Sequence, residues 1–298
     1  MKLLRMRAQC VRCILNVRLN EIYWGLGDGD EAYDAAVELL ARAADAFARS
    51  REVTEVSSEL YRFAISRAPM ATRRYEELSA ESLRRALEEV RALEDLLGQG
   101  MGYDEFRDLA KLSVLGNLLD LGVQGHAPPS SVATLLRTAE FAVDDTRIAY
   151  ELLESGRGTV LWLFDNAGEA AYDVPLIRFL RRMGWRVVGV AKERPGFQND
   201  LTVELARGFG VDRELDALLP IAGGHSTLHP EAVGEELRRE LESAGLVVAK
   251  GMAHYEYLSE VDVGRPVLFL LVAKCEPVAA SLGVRKGDLV ALLRRARA

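Results

Sequence analysis

Through the first half of the chain apolar residues recur every three or four positions, and near residue 155 this rhythm gives way to short unbroken apolar runs. Leu3, Cys10, Cys13, Ile14 and Val17 fall on one face of a first helix. Stripes at 31–49, 55–67, 80–97, 104–121 and 131–154 predict further helices. Breaks at Gly27-Asp28-Gly29-Asp30, Gly98-Gln99-Gly100 and His126-Ala127-Pro128-Pro129-Ser130 separate them, with Asp30 and Ser130 as expected N-caps. From Thr159 onward, β-branched runs at 159–164, 186–191, 246–249 and 266–272 alternate with helical stretches. Such alternation predicts βαβ crossovers and a mainly parallel sheet. The expected architecture is an all-helical domain over 1–155 followed by a Rossmann-like, three-layer α/β domain over 156–298.

A buried parallel strand delivers the residues after it to the carboxyl edge of its sheet, where open α/β folds bind ligands. Here those residues are Asp165-Asn166-Ala167-Gly168-Glu169 after one run and Asn199-Asp200-Leu201-Thr202 after the next. Each pair joins a carboxylate to a neutral amide oxygen, and Gly168 lets the backbone turn close to a ligand. Both pairs reaching one edge would cradle a divalent metal: Mg²⁺, with Mn²⁺, Co²⁺ or Ni²⁺ as substitutes. Glu169 has two readings, as the group that orients or deprotonates a water and as a carboxylate set against the dipole of the following helix.

Residue usage sharpens this. Only five Asn occur, and Asn117, Asn166 and Asn199 each adjoin Gly or Asp. Six Lys stand against 32 Arg, and Lys250 and Lys274 end later apolar runs, where a compact ammonium has a use. A net charge of −7 without a basic, aromatic-interleaved block argues against nucleic-acid binding. No apolar run is long enough to span a bilayer, and the start shows no signal core, so a cytoplasmic protein is expected. Cys10-Val-Arg-Cys13 lies within a helical stripe and supplies two of the four ligands structural zinc needs, which reads as buried packing. His225-Ser-Thr-Leu-His229 reads as a loop and helix start.

Together, Asp-Asn-Ala-Gly-Glu with Asp173, Asn-Asp-x-Thr at 199–202, Ala-Lys-Gly at 249–251 with Tyr255-Glu256, and the run ending Ala-Lys274-Cys275 resemble the damage-control phosphatases, once catalogued as domain of unknown function 89. Cys10-x-x-Cys13 and Gly116-Asn117-Leu-Leu-Asp120 extend the resemblance over nearly the whole chain, toward a prokaryotic branch. The resemblance implies metal-dependent hydrolysis of small phosphorylated metabolites such as sugar phosphates, nucleotides or phosphopantetheine. It places the metal on Asp165, Asn166 and Asp200 and the phosphate on Lys250. Asn117, Asp120, Gly168, Asn199, Gly251, His254, Glu256 and Lys274 are the further expected substrate contacts, and Asp165, Asp200 and Glu169 the catalytic set. The chain departs from the family pattern at His254, where many members carry Asn, and at 69–80, where Asp-Pro-Tyr and a downstream Lys are absent.

Two other classes compete with this reading. A Rossmann-like methyltransferase needs a Gly-x-Gly cofactor turn that Asp-Asn-Ala-Gly-Glu lacks. A non-catalytic phosphometabolite-binding protein would keep the phosphate site and lose turnover. Finally, Asn117 and Asp120 share a helix face among Leu112, Leu115 and Leu119, and polar groups on such a face need a polar partner. The expectation is that this helix covers the sheet's carboxyl edge and makes the site an interdomain cleft; the alternative is a helix end with Asp120 in solvent.

Overall fold

The computed structural model describes residues 4–93, 97, 100–119 and 132–296. Leu3, Asp120, His126 and Ser130, singled out above, lie outside the described residues.

Helices α1 (Ala8–Leu26), α2 (Asp30–Arg49) and α3 (Val53–Arg67) pack Ile14, Ile22, Leu39, Ala43, Val56 and Leu60 into a core of their own. Asp30 is the first residue of α2, with Gly29 at the cap position. The next helix, α4 (Pro69–Leu93), starts well before the expected residue 80. Pro69 opens it, where a missing N–H leaves no bond unmade. Helix α5 (Tyr103–Gly116) runs into a 3₁₀ turn, Asn117–Leu119.

The helix expected over 131–154 is instead α6 (Val132–Thr138), strand β1 (Phe141–Asp144) and α7 (Thr146–Ser155). Phe141 and Val143 satisfy a two-residue alternation as well as the helical stripe. The chain takes the extended form because β1 finds a ladder partner, and Asp144 ends it by accepting from Thr146 N at 3.1 Å.

Beyond α7 come β2 (Thr159–Leu163), α8 (Ala167–Arg182), β3 (Arg186–Lys192), α9 (Val203–Gly208), β4 (Ala217–Ile221), α10 (Glu235–Ser243), β5 (Leu246–Lys250), α11 (Gly251–Leu258), β6 (Val267–Val272), α12 (Glu276–Leu282) and β7 (Leu289–Arg294). The sheet order is β1-β7-β6-β5-β2-β3-β4, parallel except between β6 and β7. Strands β4 and β7 were not read from the sequence. Pro220 obscured β4, and the sheet admits it because β4 is an edge strand.

Alternation along each strand builds the three layers. Val160 and Trp162 face α4, α5, α7 and α8, whereas Leu161 and Leu163 face the side of α10, α11 and α12. Among the described residues no helix is long and apolar enough to cross a membrane.

Candidate functional site

Strand β2 ends into Phe164-Asp165, and Asn166 is the N-cap residue of α8. The second acidic pair is sewn to the first by the backbone. Asn166 and Asp200 form an antiparallel bridge, Leu201 N donates to Asp165 O at 2.8 Å, and Ala167 N donates to Asn199 O at 2.9 Å. Strand β3 completes the seam through Lys192 N, which donates to Leu201 O at 2.9 Å. Two segments far apart in sequence therefore hold their carboxylates in a fixed relation.

Burial, and then the neighbouring carboxylates of Glu169 and Asp200, push the Asp165 carboxyl well above its ordinary range; Lys192 and Lys274 oppose that shift. Asp200 Oδ2 accepts from Gly196 N at 2.9 Å and Phe197 N at 2.7 Å, and Oδ1 lies 3.4 Å from Lys192 Nζ. Burial still raises its pKa against those partners. Gly251, at φ +70°, makes room beside Asp165: a Cβ there would fall 1.7 Å from Oδ2.

Lys250 has no exposed surface and is held by four oxygens. Its Nζ lies 2.9 Å from Glu169 Oε1 and 3.1 Å from Asp173 Oδ1, and donates to Ser113 O at 2.8 Å and Ser113 Oγ at 2.7 Å. Burial works against the ammonium, but the Asp173 and Glu169 carboxylates outweigh it and raise the pKa. Lys250 is thus committed to buried acids. Glu169 is equally committed, because its Oε2 accepts from Asn117 Nδ2 at 2.6 Å and Asn166 Nδ2 at 3.4 Å. Asn166 Nδ2 also reaches Asp165 Oδ2 at 3.0 Å. Asn117 Oδ1 accepts from Val272 N at 3.1 Å, so the end of α5 is tied to both β6 and Glu169. Gly116 lets α5 lie close on α8, since a Cβ there would meet Tyr172 at 2.8 Å.

His254 is buried beneath the cradle. Burial first, and then the Lys192 charge, push its pKa well below the ordinary value, so the ring is neutral. Nε2–H then donates to Phe164 O at 3.1 Å and Nδ1 accepts from Thr227 Oγ1 at 2.9 Å. Lys192 Nζ donates to the same Phe164 carbonyl at 2.5 Å. Two donors therefore fix the peptide immediately before Asp165. Sequence reasoning missed Lys192, although it ends an apolar run just as Lys250 and Lys274 do.

A cavity opens above the cradle, lined by Asp165, Asn166, Asn199, Glu256 and Lys274 from the sheet side and by Arg18 from α1. An adjoining, mostly apolar recess is walled by Val17, Trp24, Tyr75 and Leu78; Asn199 borders both spaces. Gly168 lines the recess, and a Cβ on it would meet Ser82 Oγ at 2.1 Å. Burial and the carboxylates of Glu52 and Asp165 push Glu256 up to about 8. Cys13 also lines the cavity, and burial raises its thiol. Arg18 had no sequence signal, being one Arg among many within a helical stripe.

The donor set suits a divalent cation. Asp165, Glu169, Asp173 and Asp200 are buried among three buried ammonium groups, Lys192, Lys250 and Lys274, and Asp200 Oδ1 accepts no hydrogen bond. Asp165 and Asn166 reach the cavity wall directly. Elsewhere, His225, His229 and Glu231 bring their ligand atoms within 4.8 Å of one another, close enough to hold a metal. His229 is at the same time the cap residue of the 3₁₀ turn Pro230–Ala232, and its Nε2 lies 2.9 Å from Thr54 Oγ1.

A family model described as the damage-control phosphatase ARMT1-like domain matches residues 6–290. A damage-control phosphatase of Archaeoglobus fulgidus is 39% identical over 192 residues, 63% of this chain and 65% of that protein, so the match spans less than two thirds of the relative's length. The damage-control phosphatase PH1575 of Pyrococcus horikoshii is 29% identical over 208 residues, 69% of this chain and 70% of that protein. The crystal structure of the latter, a DUF89 family protein, superposes with a TM-score of 0.79 at 24% identity, covering 98% of this chain and 99% of that chain. This likeness shows that the fold is shared.

Proposed function

Because the chain belongs to the damage-control phosphatase ARMT1-like family, we propose that it is a divalent-metal-dependent phosphatase of small phosphorylated metabolites. The observation that carries this reading is the backbone bridge between Asn166 and Asp200, which sets the buried Asp200 carboxylate behind Asp165 and Asn166, and these two line the cavity. A cation held by Asp165, Asn166 and Asp200 supplies positive charge against the phosphoryl oxygens.

The chain's own residues do the rest. Lys274 holds the phosphate from the cavity wall. Lys250 and Asn117 position Glu169, which in turn positions the Asn166 amide. His254 and Lys192 hold the Phe164 peptide, and with it the Asp165 carboxylate. Water adds to phosphorus as the ester P–O bond breaks. The leaving oxygen takes a proton from Glu256, whose burial favours the protonated form; one proton of the attacking water stays on the released phosphate and the other restores Glu256. The apolar recess receives the organic part of the substrate.

Phosphate release from a panel of sugar phosphates, nucleotides and phosphopantetheine, with metal and with chelator, tests the proposal. Metal-dependent release from at least one of them is expected. Binding without release under every metal would make the protein a phosphometabolite binder instead.

A further inference from the structure

Arg18 is only 2% exposed, yet it is poorly satisfied for so buried a cation. Its Nη2 pairs with Glu21 Oε1 at 3.0 Å, and its guanidinium lies over the Tyr61 ring, 4.9 Å from the centroid. Its Nε and Nη1 have no hydrogen-bond partner. Buried donors without partners are uncommon, and each one needs a cause. The location supplies that cause, since Arg18 lines the same cavity as Asp165, Asn166 and Lys274. The Glu21 partner is itself weakened as a counter-ion. Burial, against the pull of Arg18 and a hydrogen bond from Tyr75, pushes its carboxyl up to about 7, so near neutrality much of the Arg18 charge is left uncompensated.

We propose that Arg18 binds an oxyanion of the substrate through an N–H that Glu21 leaves unused. This rests on the phosphatase reading and extends it: the helix across from the sheet edge takes part in recognition. A guanidinium suits this task because it stays charged when desolvated and directs several N–H groups at carboxylate or phosphate oxygens. The oxyanion is either the phosphate itself or a second acidic group on the same molecule.

Calorimetric binding of glycerol 3-phosphate and 3-phosphoglycerate to the metal-loaded protein distinguishes the two sources, because the probes differ by one carboxylate. The proteins compared are native, Arg18→Gln, and Arg18→Gln/Glu21→Gln; the double variant leaves no unpaired buried carboxylate if the single one folds poorly. Loss of about tenfold or more for both probes assigns Arg18 to the phosphate; a loss confined to 3-phosphoglycerate assigns it to the second acid. Unchanged affinity for both probes in a folded variant overturns the proposal, as does failure of either probe to bind the native protein. Hydrolysis of p-nitrophenyl phosphate, measured alongside, keeps the readings apart: metal-dependent turnover with no Arg18 effect removes this inference and leaves the phosphatase reading standing.

Discussion

A methyl group on Gly251 would sit 1.7 Å from Oδ2 of Asp165. Gly251 opens α11 directly after β5, whereas Asp165 follows β2, so adjacent strands deliver the carboxylate and the gap that admits it. Gly251→Ala should reduce turnover by about 100-fold or more through displacement of Asp165. Its stability cost should exceed the roughly 1–2 kcal/mol of a left-handed backbone carrying a side chain, because the buried Asp165 must also give way. Steady-state kinetics beside a denaturant melt checks both; near-native turnover would separate Gly251 from the site.

Lys250 should behave as a structural cation. With Glu169, Asp173 and Ser113 around it, Lys250→Met leaves buried acids unpaired and should cost about 3–5 kcal/mol in urea unfolding. Lys250→Arg should also be harmful, since a wide planar group must replace a point charge held by four oxygens. A Lys250→Met protein of native stability with only a raised KM would return this residue to the phosphate-binding role that the sequence resemblance implies.

In the metal-free protein, stability should fall as pH rises. The Glu256 carboxyl is raised from 4.5 to about 8, so over that interval the folded state keeps a proton the unfolded chain has released. Its contribution is complete below pH 4.5 and is lost progressively as pH climbs to about 8. Glu21, raised to about 7, acts in the same direction. Thermal melts in chelator from pH 5 to about 8.5 should slope downward, and less steeply in Glu256→Gln. Parallel curves for the two proteins would show that Glu256 is ionised throughout.

The residues of the candidate site were easier to single out in the sequence than some of the elements around them. Four strands were legible because each is a β-branched run buried on both faces. Strand β1 was hidden inside a stripe that also satisfied helical spacing, β4 carried Pro220, and β7 pairs antiparallel with β6 in a sheet expected to be mainly parallel. Among site residues, Asp165, Asn166 and Asp200 were marked by their position after strand-like runs. Lys250 and His254 were marked equally well, but marking does not tell a cavity wall from its foundation; only the structure shows the former on Glu169 and Asp173 and the latter on the Phe164 carbonyl. Arg18 could not have been found, because its meaning depends on which of its nitrogens lack a partner.

The most direct measurement is phosphate release by protein stripped with chelator, followed as Mg²⁺, Mn²⁺, Co²⁺ or Ni²⁺ is returned, with Asp165→Asn and Asp200→Asn run in parallel. The expected result is no turnover without metal, saturable recovery in the native protein, and loss of about 100-fold or more in both variants while their folds persist. Full turnover in chelator, or native activity in either variant, would contradict it.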